Sequence, residues 1–230
     1  MNRRPIRLLC TVAAGLVVLA SCASGPFAGG PAETAPPVSI TRYADAAPPR
    51  PPEQVAVDNR AIAQAALPTD ADLPGFASAS PTEARLLLCP TATETVPDSI
   101  VHASGSWSGT GDQAGRTLTV TVVFDPEKAP ADRLLATLLP QDCAEDAGGF
   151  HYVYDRQPFE QSDGWSGALN TILATDTRTG QHSYRTAYLV SKGDALVNVV
   201  ASRADRETFD PSVDETAAHA LELVLGRFAG

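Results

Sequence analysis

Residues 116–124 alternate without a break: Leu118, Val120, Val122 and Phe124 point one way, Thr117, Thr119 and Thr121 the other. That period of two is the mark of a half-buried strand. Residues 100–108 read as a second strand, and the G-T-G-D-Q-A-G of residues 109–115 is turn chemistry, so the two predict an antiparallel hairpin. The period then changes. Leu134, Leu135, Leu138 and Leu139 share one face at helical spacing, with Pro130 near the start and Pro140 limiting the end. Strands return over 151–155, 164–177, 183–191 and 195–203, and Thr179-Gly180 and Gly193-Asp194 supply the turns of a meander. Ser212-Val213-Asp214-Glu215 has capping-box spacing, and Val213, Ala217, Leu221, Val224, Leu225 and Phe228 line one face of a closing helix. Upstream, Asp58 is placed to cap a short helix over 59–67, residues 69–83 read as loop, and Leu86-Leu87-Leu88 is a buried segment of either type. The pattern predicts one α+β domain over residues 57–230. It consists of a mainly antiparallel sheet of five to six strands, a long C-terminal helix packed across it and one or two further helices.

The residues before that domain follow a different logic. Arg3, Arg4 and Arg7 precede an uncharged apolar run from Leu8 to Ala20, which has the length of a signal-peptide core and is too short to span a bilayer. The run ends in Leu19-Ala20-Ser21-Cys22, the lipobox pattern of bacterial lipoproteins, so residues 1–21 read as a cleaved signal and Cys22 as the lipidated residue. Two palmitate-type acyl chains on one thioether-linked glycerol suffice for stable anchoring, at about 0.8 kcal/mol per buried CH₂. Eight prolines fall between positions 23 and 52, so residues 22–56 read as a lipidated cysteine followed by an extended Pro/Ala-rich stalk.

Charge narrows the partners. The formal net charge is −10, and removal of residues 1–21 takes away three arginines and no acid. Nucleic acid is therefore not an expected partner, since phosphate backbones are held by clustered Lys and Arg. The lipid and not the protein surface is expected to hold the chain on the extracytoplasmic face of the cell membrane. Of four cysteines, Cys10 leaves with the signal and Cys22 is lipidated. Cys89 and Cys143 remain, and outside the membrane they are expected to form a disulfide closing a loop of about 55 residues. A redox or metal-binding pair is the rival reading, without C-x-x-C spacing.

Catalytic constellations are thin. Gly164-Trp165-Ser166-Gly167-Ala168 approximates a nucleophile elbow, with Asp194 or Asp205 and His219 downstream. Ser166, however, opens a strand that runs into a hairpin, where an elbow needs a strand, a sharp turn and then a helix. Glu215 and His219 share a helix face, but two ligands do not make a metal site. No metal or cofactor is expected. Tyr152, Tyr154, Phe159 and Trp165 cluster around one loop, either lining a ligand cleft or filling the core between strands. Trp107-Ser108-Gly109 and Trp165-Ser166-Gly167 repeat a tripeptide, which chance or a degenerate duplication would give.

The lipobox, the Pro/Ala stalk, the Cys89 and Cys143 pair and the run Leu196-Val197-Asn198-Val199-Val200-Ala201 ahead of an amphipathic helix together resemble a group of actinobacterial lipoproteins. Their domain is similar to the extracytoplasmic sensor domain of mycobacterial serine/threonine kinases. The resemblance covers about residues 60–228. It implies a ligand, of undetermined identity, bound in a cleft beside the sheet. This chain has one cysteine pair where the kinase version has two, and it carries no kinase domain, so no functional residue is transferred. The expectation is a non-enzymatic, sensor-like domain that binds a ligand or an envelope protein, with a cell-envelope hydrolase and an assembly partner of a membrane protein as the alternatives.

Overall fold

Every long segment with a period of two becomes a strand of one sheet. The computed structural model describes residues 51–80, 83–90, 92–124, 143–205 and 208–228. The signal, Cys22, the stalk up to residue 50 and the helix expected between Pro130 and Pro140 lie outside the described residues. In chain order the elements are α1 (Pro52–Ala66), β1 (Phe76–Ser78), β2 (Arg85–Cys89), β3 (Ala92–Thr95), β4 (Val101–Gly109), β5 (Arg116–Phe124), β6 (Asp146–Ala147), β7 (Phe150–Glu160), β8 (Ser166–Asp176), β9 (His182–Lys192), β10 (Ala195–Ala204) and α2 (Pro211–Arg227).

Eight strands form a sheet in the order β1-β4-β5-β10-β9-β8-β7-β6, and β2 and β3 form a separate hairpin. All pairings are antiparallel. The six long strands are those read from the alternation. The sheet exceeds the expected five to six strands because β1 and β6, three and two residues long, add an edge at each end. Segments that short carry no periodicity to read.

Two helix starts differ from expectation. The first helix begins at Pro52, inside the stretch read as stalk, because a proline at the first helical position has no N–H to waste. Asp58 lies in mid-helix, where it accepts a 2.9 Å bond from Gln54 Nε2. At the last helix the same preference moves the cap upstream. Pro211 takes the first position, Asp210 is the cap and accepts from the Ser212 N–H at 3.1 Å, and the Ser212/Glu215 capping box does not form.

The sheet is covered on both faces. On one, α1 packs over β4 and β5, and α2 over β9 and β10. The core there contains Trp107, Trp165, Tyr184, Leu118, Val120, Val122, Val197, Val199 and Leu221. Gly105 leaves room for the Trp107 ring, since a Cβ there would sit 2.4 Å from it. Asp214, in the first turn of α2, accepts from the Tyr184 hydroxyl at 2.7 Å and from Thr186 Oγ1. Burial and that carboxylate raise the pKa of the Tyr184 phenol above its ordinary value. Arg227, in the last turn, donates to Asp72 Oδ2 at 2.7 Å and to the Ala66 and Leu67 carbonyls, fastening α2 to the segment after α1. Hydrogen bonds from Thr69, together with Arg227, hold the Asp72 carboxyl at a pKa of about 2.

Among the described residues the opposite face is covered by the β2–β3 hairpin and by residues 143–145, which the Cys89–Cys143 disulfide ties to it. Its apolar cluster is smaller: Ala84, Leu86, Val96, Val123, Ala168, Ala187, Leu189 and Leu196.

The two Trp-Ser-Gly tripeptides occupy unlike places. Trp107-Ser108-Gly109 ends β4, whereas Trp165 precedes β8 and Ser166-Gly167 opens it. Both glycines are places of close approach, Gly109 to the Gln113 carbonyl and Gly167 to the Leu189 carbonyl. Each strand end requires this for its own reason, so the placement gives no support to a duplication.

Candidate functional site on the hairpin face

Three devices hold the hairpin against the sheet. The Cys89–Cys143 disulfide joins the end of β2 to the segment entering β6 across a sequence separation of 54 residues. Arg156, on β7, donates from Nη2 to Cys143 Sγ at 2.7 Å and to Cys89 Sγ at 3.3 Å. Asn198, on β10 and 2% exposed, accepts from the Leu87 N–H at 2.8 Å and donates to the Leu87 carbonyl at 2.9 Å and to the Tyr188 carbonyl at 2.7 Å. A buried amide with all these bonds made fixes the hairpin's height above the sheet. Leu86 and Val96 fill the space beneath it.

The hairpin is narrower than the sheet, and among the described residues it leaves uncovered a groove across the strands made of three recesses joined by shared lining residues. Its largest part, about 530 Å³, is lined by Arg85 and Leu87 of β2, Thr93 of β3, Thr117 and Thr119 of β5, Val200 and Ser202 of β10 and Arg185 of β9. Arg185 also lines the next part, about 190 Å³, with Pro90, Ile172, Ala174 and Tyr152. Tyr152 in turn borders a third part, about 350 Å³, with Tyr154, Arg156, Cys143 and Glu145. The strand registers set this lining. Arg185 lies opposite Ile172 on one side and Ser202 on the other, and Tyr152 opposite Ala174. Phe150, Tyr152 and Tyr154 stack along β7 with successive ring centroids 6.0 Å apart, walling the far end.

The polar groups of the groove are unequally matched. Arg85 pairs with Glu83 at 2.8 Å, and the Thr117 and Ser202 hydroxyls bond to each other at 2.7 Å. Arg185 makes no hydrogen bond or ion pair among the described residues. Burial lowers the pKa of its guanidinium from the ordinary value, and the neighbouring phenols of Tyr152 and Tyr154 oppose that shift.

The four aromatics singled out from the sequence divide between the two faces. Tyr152 and Tyr154 lie on the groove side. Phe159 meets Tyr188 edge-on at 5.8 Å, packed against the helix-side core. Trp165 is 1% exposed within that core and packs on Phe228 at 5.3 Å. Phe159 is seven positions after Tyr152 along β7, an odd offset, which places them on opposite faces. Arg185 was not singled out, although the sequence holds a signal for it. In Ser183–Ser191 it shares parity with Ala187 and Leu189, both buried, so a charge falls on a face that is otherwise covered.

Of the remaining candidates, Glu215 and His219 line one recess of about 220 Å³ beside α2, and Ser166 is not among its lining residues. Ser166 starts β8 opposite Glu160 and Ser191, with strand and not helix after it, and the His219 ring nitrogen approaches the Asp72 carbonyl at 3.4 Å. Among the described residues no group of three His, Cys, Asp or Glu side chains is placed to hold a metal ion.

No protein-family model matches the chain, and no curated protein matches it. Among solved structures it is similar to the extracellular domain of PknH from Mycobacterium tuberculosis, at 13% identity and a TM-score of 0.43, covering 73% of this chain and 96% of that one. It is also similar to a putative uncharacterized protein from Mycobacterium smegmatis, an Rv0999 ortholog, at 15% identity and a TM-score of 0.40, with the same coverage. These neighbours are of the kind the sequence pattern resembles.

Proposed function

We propose that this chain is a membrane-anchored extracytoplasmic lipoprotein whose folded domain binds a ligand, without catalysis, on the hairpin face of its sheet. The observation that carries the reading is the groove itself. Among the described residues, a sheet covered by two helices on one side is covered on the other mainly by four- and five-residue strands, and side chains from seven strands line the space left over. Concave sites with apolar walls and a few convergent polar groups are the ordinary form of a ligand site. The lipobox at Leu19–Cys22 supports the anchor, and a disulfide supports an oxidising compartment. Among the described residues no helix is long and apolar enough to cross a membrane.

Two measurements test this. Cys22→Ser is expected to move the chain from the membrane fraction to the soluble one, and retention in the membrane would contradict the anchor. A thermal-shift screen against envelope lipids, glycans and peptides is expected to raise the midpoint with one compound class, because binding to the native state stabilises it. A midpoint that no class moves would contradict the binding reading.

A further inference from the structure

Arg185 lines the groove with no counter-charge among the described residues. It lies at the junction of two parts of the groove, between Ile172 on β8 and Ser202 on β10. A guanidinium keeps its charge at any physiological pH, so it cannot relieve desolvation by losing a proton. Elsewhere the protein gives its partly buried arginines acceptors: Arg227 has Asp72 and two carbonyls, and Arg203 has Asp210 at 3.5 Å. Beside Arg185 are hydroxyls instead. Thr117 and Ser202 share one hydrogen bond, which leaves the second hydroxyl proton of the pair for an incoming oxygen. On both sides the walls turn apolar, with Leu87 and Val200 in one direction and Ile172, Ala174 and Pro90 in the other.

We infer that the groove takes an amphiphilic anion, whose carboxylate or phosphate is held by the Arg185 guanidinium and whose hydrocarbon part lies along Leu87, Val200, Ile172 and Ala174. This rests on the ligand-binding reading above and names the class of ligand. An oxyanion presents two acceptors to the planar guanidinium fork, the pairing that arginine is shaped for. Protein acidity does not argue against it: the net charge of −10 is a property of the whole surface, whereas selectivity in a narrow groove is set by the charges that line it. A membrane lipid with an anionic headgroup and a free acyl anion offer the same chemistry, and the test separates them.

The test measures binding of dodecyl phosphate, inorganic phosphate and phosphatidylglycerol vesicles to the full chain, and to full chains carrying Arg185→Met or Ser202→Glu. Ser202 lies directly opposite Arg185 across β9 and β10, so Ser202→Glu supplies an internal carboxylate and closes the site with the guanidinium still present. Dodecyl phosphate is expected to bind the wild type and to lose at least about tenfold in affinity in both variants, the loss of a charge-assisted pair. Inorganic phosphate is expected to bind more weakly than dodecyl phosphate, since it lacks the apolar part. Vesicle binding that both substitutions abolish assigns the ligand to a lipid headgroup, and inert vesicles assign it to a free amphiphile; either result supports the site. Equal affinity in wild type and Arg185→Met, equal affinity for inorganic and dodecyl phosphate, or no binding of any of the three probes would overturn it. If the probes fail while a neutral glycan or peptide raises the thermal midpoint, the ligand class falls and the binding reading stands. Each variant's folding is checked by its near-UV circular dichroism, and Ser202→Glu keeps the test decisive should Arg185→Met fail to fold.

Discussion

The two faces of one sheet are built to different rules. On the helix face, two helices bury tryptophans, tyrosines and branched aliphatics, and the polar groups at its margin are tied off: Tyr184 to Asp214, Arg227 to Asp72. On the hairpin face the apolar cluster is small, and cover depends on a disulfide, an asparagine clamp and an arginine over the two sulfurs. The same strands supply both faces, since alternate residues of β5, β8, β9 and β10 point each way. Thus Leu118, Val120 and Val122 go to the helices while Thr117 and Thr119 go to the groove. The contrast shows how one sheet combines a stable core with a polar recess: packing holds one side, and point fastenings hold the other without filling it.

Breaking the fastenings should separate the faces. Removing the disulfide by Cys89→Ser with Cys143→Ser is expected to cost about 4 kcal/mol in denaturant unfolding, from the entropy of the loop it closes. Amide exchange should rise first along Leu86–Thr95. Uniform acceleration across β5 and β10 would show that the faces do not separate. Asn198→Leu comes next, at about 3 kcal/mol, because the Leu87 N–H and carbonyl and the Tyr188 carbonyl lose their partner while remaining covered. Gly105→Ala probes the other face at about 2 kcal/mol, since a methyl there meets the Trp107 ring, and it should leave the groove's ligand affinity unchanged.

The smallest of these effects is a pH dependence on the helix face. With a folded pKa of about 2 against an ordinary 3.8, Asp72 stabilises the fold fully above pH 3.8 and loses that contribution as pH falls toward 2. Asp72→Asn should therefore lower stability near neutral pH and flatten the acid limb of the stability curve between those values. An unchanged acid limb would place the stabilisation elsewhere.

Much of this architecture is legible in the chain. The strict alternation at Arg116–Phe124 and the turns at Gly180 and Gly193 locate the six long strands, because a half-buried strand must alternate to bury one side. The pairing of Cys89 with Cys143 follows from elimination. What escapes is set by contacts rather than by period. The edge strands β1 and β6 form because a neighbour is there to pair with, and the β2–β3 hairpin finds its place through Asn198, 111 residues from Leu87. Grouping Tyr152, Tyr154, Phe159 and Trp165 by nearness in sequence overlooks the parity that sends two of them to each face. Arg185 is visible only when its parity is compared with that of Ala187 and Leu189.

The hairpin face is expected to keep its recess at a cost to the fold, since the Arg185 guanidinium at its floor has no counter-charge among the described residues. Thermal unfolding of the full chain with Arg185→Met, measured without added ligand, reads that cost. Methionine replaces the arginine stem as far as Nε, and the substitution removes a partly desolvated charge that has no ionic partner among the described residues. The midpoint is expected to rise by about 3 °C, corresponding to about 1 kcal/mol. A lowered midpoint would show instead that Arg185 stabilises the fold and that the recess carries no such cost.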